Sequence, residues 1–446
     1  MQSLALLSRV LLLLHCSVSL LLLSLPLLFL LLPVSLPLFR LAINRAVVPL
    51  WLNAVSQVLP PLAVSLTSAR ITEALDKLPH RPTPAQLRAI LPEPSFPATS
   101  LLIANHTIDA DFLLIWLLLP LLSPSPALPL LPPLAGNLKI VLKDELKSLP
   151  VIGHGMKAFE FLFLSRSISA DRPRLTSHFS DYLSTTPSAT VLIFPEGTTL
   201  NTHDQAKSEL YASSRPLPPL PHSNLLYPRA TGYVLLSRSL LSSSPSPGLR
   251  DLTLVYNGYS GEVPSYEQGY SRARDLRVTS VKKLLCSFSV PLLRGLLWRC
   301  DAALNRLLGR GGAGSELYAG ENDVTAAGNP VALVHVDERG LKEAAGEGWV
   351  YEAWQRKDKL VERHRGRGAW GRSRHGETGE LEGGGKFVTL ACPRGSVLWF
   401  AFTLVFPALA VFWYSLFLIF GGAFVVIGIQ VYSRGSGKSA AIKIFR

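Results

Sequence analysis

The chain has 446 residues, 48% of them apolar and 17% charged, with 44 Lys and Arg against 31 Asp and Glu. This composition excludes disorder over the whole length, and the length allows one sizeable core with extra segments. A net charge of +13 favours anionic partners, either nucleic acid or a phospholipid surface, and the mean hydropathy of +0.28 leans toward lipid. Cys16, Cys286, Cys300 and Cys392 stand far apart with no CxxC spacing, which encodes neither a thiolate zinc site nor a disulfide framework and suits a reducing, cytosol-facing environment.

From Val10 to Phe39 the sequence is almost unbroken Leu, Val and Phe, with no ionised side chain and His15 as the one side chain that ordinarily titrates near neutral pH. That exceeds the roughly 20 apolar residues a bilayer span needs. Pro26, Pro33 and Pro37 interrupt it and no A-x-A cleavage site follows, so it reads as a retained anchor, bent or partly re-entrant. Arg40, Arg45, Arg70, Lys77, Arg81 and Arg88 follow and place the middle of the chain in the cytosol. Residues 40–95 alternate short apolar stretches with Pro and basic residues, as helices and connectors hugging a surface do.

Ser100–Ala104 then reads as a short buried strand that hands over to an apolar helix after NHTIDAD. Pro120–Pro133 reads as a loop or an apolar surface lying on lipid. Thr190–Phe194 and Asp251–Tyr256 are further strands, and Val331–Val336 with Trp349–Val361 a strand and a helix. Strands separated by helical stretches predict an α/β architecture, a mixed central sheet flanked by helices. Gly- and Arg-rich stretches at 308–315 and 363–385 read as linkers. A second apolar run, Val397–Tyr432, breaks at Gly421 and Gly422. It has basic residues on both sides, Lys386 and Arg394 before and Arg434, Lys438, Lys443 and Arg446 after, which favours a hairpin with both ends in the cytosol.

Four stretches could carry chemistry. In Asn105–Asp111, His106 can accept a proton from a hydroxyl, and a carboxylate one turn away can fix its tautomer. Taken alone, the same residues cap and solubilise a helix start equally well. In Phe194–Thr198, Gly197 permits a backbone conformation closed to other residues, and N–H groups beside Thr198 could cradle a phosphate; a simple strand-ending turn is the plainer alternative. Lys143 and Arg166 flank an apolar, Gly-containing stretch, and the Arg fork matches phosphate oxygens, although such charges are more often solvated surface. Leu226–Gly232 places Pro228 and Arg229 before a helix-like run.

In their order and intervals these stretches resemble the four blocks of the glycerolipid acyltransferase family. NHTIDADF resembles its NHxxxxD block, LKSLPVIGHGMKAFEFLFLSR its second, FPEGTTLN its FPEGT block and LYPRATG its Pro-containing fourth. The run EGTTLNTHDQAKSELYA followed by LYPRATGY is most similar to members acting on lysophosphatidic acid, lysocardiolipin or lysophosphatidylinositol. The resemblance spans about residues 98–275 and, more faintly, 331–360.

It implies an acyltransferase domain at 96–275, preceded by the anchor at 1–39 and the membrane-proximal part at 40–95. A C-terminal extension at 276–385 and a membrane hairpin with a basic tail at 386–446 follow. It further implies His106 as general base with Asp111 orienting it, Asp109 being an additional carboxylate that could compete. Gly197, Thr198 and Arg166 would grip an acceptor phosphate, with Glu196 positioning Arg166 or the loop, and Lys143 and Arg229 also in contact with substrate. Backbone N–H groups near the helix start are candidates for an oxyanion site. The expected partners are acyl-CoA as co-substrate, a lysophospholipid and the bilayer, with no nucleic acid, no metal and no cofactor. The expected location is the endoplasmic reticulum membrane, catalytic side to the cytosol. A lipid hydrolase is disfavoured because Gly258-Tyr259-Ser260-Gly261 lacks G-x-S-x-G spacing, and a nucleotide site because Gly153-His154-Gly155 lacks the third glycine. A membrane-shaping scaffold without chemistry is the alternative from another class.

Overall fold

The computed structural model describes residues 2–58, 62–79, 82–93, 95–122, 137–149, 151–257, 259, 330–365, 369–373, 376–392 and 399–405. The chain begins with helix α1 (Gln2–Leu31), whose backbone runs through Pro26 without a break and turns at residues 32–35. Ser35 caps α2 (Leu36–Ala42), its Oγ accepting from Leu38 N at 3.4 Å, with Pro37 in the first turn, where its missing N–H leaves no bond unmade. A single π-turn, Ile43–Val47, leads directly into α3 (Val48–Val58). Among the described residues, the continuous stretch Leu36–Val58 is the one helix long and apolar enough to cross a membrane, and 67% of its most apolar window is buried by protein. The apolar helix thus reaches well past the boundary near residue 40 suggested by charge. Cys16, Ala54, Val58 and Phe400 pack together, and His15 Nε2 lies 2.9 Å from Leu404 O, so residues 399–405 join α1 and α3. The rest of the expected C-terminal hairpin lies outside the described residues, as does the stretch 308–315.

Strand β1 (Ala63–Thr67), α4 (Ala69–Asp76) and α5 (Pro84–Ala89) precede β2 (Ser100–Ala104) and α6 (Asp111–Leu122). Next come β3 (Leu138–Lys143), α7 (Ile152–Ala158), β4 (Leu162–Leu164), α8 (Ile168–Leu183) and β5 (Thr190–Ile193). Helices α9 (Thr202–Ser213) and α10 (Ala230–Ser243) lead to β6 (Gly248–Tyr256). The last part holds β7 (Ala332–Gly340), α11 (Leu341–Ala344), α12 (Glu347–His364), β8 (Thr378–Glu380) and β9 (Lys386–Ala391).

The nine strands among the described residues form one sheet in the order β4-β3-β5-β2-β6-β7-β1-β9-β8. Strands β4, β3, β5, β2 and β6 are mutually parallel, joined through helices, while β7 and β9 pair antiparallel to β6 and β1. The mixed sheet with flanking helices is the architecture expected from the sequence. It also recruits β1 from residues 40–95 and β9 from the start of the expected hairpin segment, both unrecognised as strands in the sequence reading. Strand β1 is buried at every position and β9 at its four middle positions, so they are core rather than membrane-proximal connectors.

A buried polar cluster ties the N-terminal helices to this sheet. Arg40, expected at a water-facing flank, is instead 7% exposed and pairs through Nη2 with Glu160 Oε1 at 2.7 Å. Its Nη1 donates to the carbonyls of Asp181 and Tyr182, both at 3.3 Å, and to Thr185 Oγ1. Asn44, in the π-turn, donates to Tyr182 Oη at 2.6 Å and accepts from Lys139 Nζ of β3 at 3.0 Å. Lys139 is fully buried, and burial pushes its ammonium down to about 8.

Candidate active site

Parallel α/β sheets present their loops at the carboxyl ends of the strands, and ligands bind where neighbouring connections diverge. Here β2 lies between β5 and β6, and the residues after β2 meet the loop leaving β5 and the end of β6. Asn105, the first residue after β2, is buried and pairs with β6 in both directions. Its Nδ2 donates to Leu254 O at 3.0 Å and its Oδ1 accepts from Leu254 N at 2.8 Å. The side chain thereby takes over as a strand would, and delivers His106 to a fixed place.

Asp111 opens α6 with no exposed surface. Its Oδ2 accepts from Thr107 N at 2.7 Å and Ile108 N at 3.0 Å, and lies 3.0 Å from His106 Nδ1. A carboxylate at its own helix start, on two backbone donors, is held in a single orientation and favoured by the helix dipole. On the other side, Tyr256 at the end of β6 donates to Oδ1 at 2.5 Å. Burial, and then the Asp111 charge, raise the Tyr256 phenol well above its ordinary value, so it stays a donor. Asp109 is exposed, and the imidazole's carboxylate partner is Asp111. With Nδ1 directed at that carboxylate, Nε2 is the nitrogen left to act as a base.

The loop after β5 closes around the same histidine. Phe194 stacks on the imidazole with ring centroids 4.1 Å apart. Leu200 N donates to His106 O at 2.9 Å, and His106 N donates to Glu196 Oε1 at 3.3 Å. His106 and the Pro-Glu-Gly turn, ninety residues apart, are therefore bound to each other through the main chain.

Glu196 itself is 3% exposed, and of the two expected roles, positioning Arg166 or the loop, its hydrogen bonds run to the His106 main chain and not to Arg166. The indole Nε1 of Trp354 on α12 donates to its Oε1 at 3.2 Å. Burial pushes its carboxyl up to about 8, despite these donors. The N–H groups of His106, Thr107 and Ile108 are all taken by the two carboxylates, which removes them as oxyanion donors.

Around Gly197 the picture is different. This exposed glycine sits at φ +75, the left-handed region that favours glycine, and its N–H closes the turn onto Phe194 O at 2.9 Å. Arg166, exposed and at φ +64, donates through Nη2 to Gly197 O at 2.6 Å. Arg229 donates its backbone N–H to Pro195 O at 2.8 Å, and its side chain passes Gly197, Cδ lying 3.8 Å from where a Cβ would stand. The Arg229 guanidinium lies 5.4 Å from the centre of the Tyr211 ring on α9. Two exposed guanidinium-bearing side chains thus flank the turn.

Thr198 directs its hydroxyl to Asp204 Oδ2 at 3.0 Å, bracing the start of α9. Lys143 is exposed at the end of β3, in register with Leu164, two residues before Arg166. Sequence reasoning left Asn105, Phe194, Tyr256 and Trp354 without roles. Asn105 and Phe194 lay inside the quoted motifs, whereas Tyr256 and Trp354 carry no local signal.

Comparison with known proteins gives a family match and several relatives. The model of the Acyltransferase family matches residues 91–239. Lysophosphatidylinositol acyltransferase 10 of Caenorhabditis elegans is 29% identical over 164 residues, 37% of this chain and 39% of that one. The probable 1-acyl-sn-glycerol-3-phosphate acyltransferase 5 of Arabidopsis thaliana is 31% identical over 166 residues, covering 37% and 40%. Lysocardiolipin acyltransferase 1 of Danio rerio is 27% identical over 157 residues, covering 35% and 37%. The chain spans about two fifths of the length of these relatives. No solved structure matches it. The matched segment is an acyltransferase domain, similar over that part of the chain to relatives named as lysophosphatidylinositol, lysocardiolipin and 1-acyl-sn-glycerol-3-phosphate acyltransferases.

Proposed function

We propose that the protein is a membrane-bound, acyl-CoA-dependent lysophospholipid O-acyltransferase that acylates the free sn-2 hydroxyl of 1-acyl-glycerol-3-phosphate to give phosphatidic acid. The observation that carries this reading is the His106–Asp111 pair at 3.0 Å, seated against the turn that Arg166 and Arg229 flank. His106 Nε2 takes the proton of the acceptor hydroxyl as that oxygen attacks the thioester carbonyl. Asp111 holds the ring and stabilises the imidazolium, which returns the proton to the departing thiolate as the C–S bond breaks. The new ester and free coenzyme A are the products. The acceptor is itself the nucleophile, so no acyl-enzyme forms, and no metal or cofactor enters the step.

Arg166 and Arg229 hold the acceptor's phosphate, with Lys143 at the outer edge of the same surface and Thr198 bracing the turn. The apolar stretch Leu36–Val58 supports attachment to a bilayer, with the catalytic side in the cytosol at the endoplasmic reticulum. Relatives named for lysophosphatidylinositol and lysocardiolipin support a second reading, remodelling of those lipids by the same step. The deciding experiment incubates membranes carrying wild type or His106→Ala with labelled oleoyl-CoA and a panel of lysolipids. Wild type should label phosphatidic acid first, and the variant should label nothing. Equal labelling by the variant would refute the base, and strongest labelling of phosphatidylinositol or cardiolipin would select the second reading.

A further inference from the structure

Helix α12 lies outside the segment that matches the family, yet it reaches the centre of the site. Its inward face runs through Val350, Ala353, Trp354, Lys357, Asp358 and Val361, all buried. Three polar anchors fix how that face docks. Lys357 Nζ bonds Asp251 Oδ1 and Leu252 O of β6. Asp358 accepts from His222 N at 2.6 Å and Asn224 N at 2.7 Å, in the loop just before the Pro228–Arg229 step. Trp354, fully buried, donates to Glu196. A buried Lys–Asp pair contributes little net stability, but it cannot slide by a turn without leaving both charges unpaired, so it sets the register of the helix.

That register places the indole N–H against the carboxyl oxygen that also holds the His106 amide. Glu196 Oε1 is shared by two donors, one from α12 and one from the histidine's own backbone. We propose that Trp354 is a positioning residue for acyl transfer, which acts through Glu196 to hold the His106 main chain, and with it the ring, at its place beside the Pro-Glu-Gly turn. The proposal rests on the reading of His106 as the base. Trp354 touches no reacting atom, so its loss should lower turnover and leave binding of both substrates nearly unchanged.

The test uses the full-length protein in membranes or detergent. Trp354→Phe removes the N–H and keeps an aromatic ring. Benzothienylalanine introduced at 354 keeps the full indole shape without the donor, so it folds where the smaller ring does not. Val350→Ala on the same buried face serves as a packing control. We expect both replacements at 354 to lower kcat about tenfold, with KM for acyl donor and lysolipid within about twofold, and Val350→Ala to keep kcat near wild type. Unchanged kcat with benzothienylalanine would overturn the proposal. So would an equal loss in Val350→Ala, or a loss confined to KM. Full activity in His106→Ala would instead remove the underlying reading, an outcome the 354 variants alone do not produce.

Discussion

Tyr256 donates its hydroxyl to Asp111 Oδ1 at 2.5 Å, on the opposite side of the carboxylate from the imidazole. Both groups are buried, and the phenol's raised pKa keeps the proton on tyrosine. Tyr256→Phe removes that donor and leaves one oxygen of a buried carboxylate unpaired. The expected cost is about 1–3 kcal/mol of stability, with acyl transfer reduced several-fold as Asp111 loses its fixed orientation. Thermal unfolding and steady-state rates check the two effects separately. A variant as stable and as fast as wild type would show the contact to be incidental.

Glu196 makes a distinct pH-dependent contribution to stability. Burial raises its pKa from 4.5 to about 8 in the folded chain. Between those values the unfolded chain has released a proton that the folded chain still holds, so stability falls as pH rises from about 4.5 through 8. Below that window the contribution is fully present. Glu196→Gln has no proton to lose, and its free energy of unfolding should rise relative to wild type between pH 5 and pH 8.5, by an amount on the order of a few kcal/mol. Parallel pH profiles for the two proteins would contradict the buried, raised carboxyl.

The Arg40–Glu160 pair predicts a larger loss. Arg40→Met keeps most of the side-chain volume but strands Glu160 as a buried charge. Removing one partner of such a pair costs about 3–5 kcal/mol. Exchanging Arg40 to Met and Glu160 to Leu together should recover most of it. Denaturant unfolding of both variants checks this, and a single variant within error of wild type would exclude a structural role for the cluster.

The proposed phosphate grip of Arg166 and Arg229 can be tested separately from the chemistry. Arg166→Ala or Arg229→Ala should raise KM for lysophosphatidic acid about tenfold and leave KM for acyl-CoA near its original value. A monoacylglycerol acceptor, which lacks the phosphate, should be indifferent to either change. Equal losses with both acceptors would move these side chains from the headgroup to the fold.

The sequence was informative where chemistry is local. His106 and Asp111 lie five residues apart on one strand-to-helix step, and Gly197 follows a buried strand, so local spacing marked them as candidates and the order of the four blocks singled them out. Strands β2, β5, β6 and β7 were legible for the same reason, as short apolar runs bounded by turn residues. The partners of Glu196 were not legible because they come from 90 residues before and 158 after, at separations where no periodicity survives. Arg40 was misread because charge near an apolar run usually marks water, whereas here Glu160, held at φ +54 beyond α7, meets it inside the protein. Strand β1 and strand β9 were hidden by the apolar and Gly-rich stretches beside them, which suggested membrane and linker instead of sheet.

Strand β1 has a consequence for synthesis. It sits between β7 and β9, in parallel register with Ala332–His335 on one side and antiparallel with Phe387–Ala391 on the other. A ribosome that has translated as far as residue 300 has released β1, β2, β5 and β6, but neither neighbour of β1. The nascent chain therefore carries a strand with both hydrogen-bonding edges open until β7 has been made at residue 340, and with one edge open until nearly 390 codons have been read, a state that invites aggregation. Closure of the sheet, and with it the seating of α12, must be among the last events in the birth of the molecule.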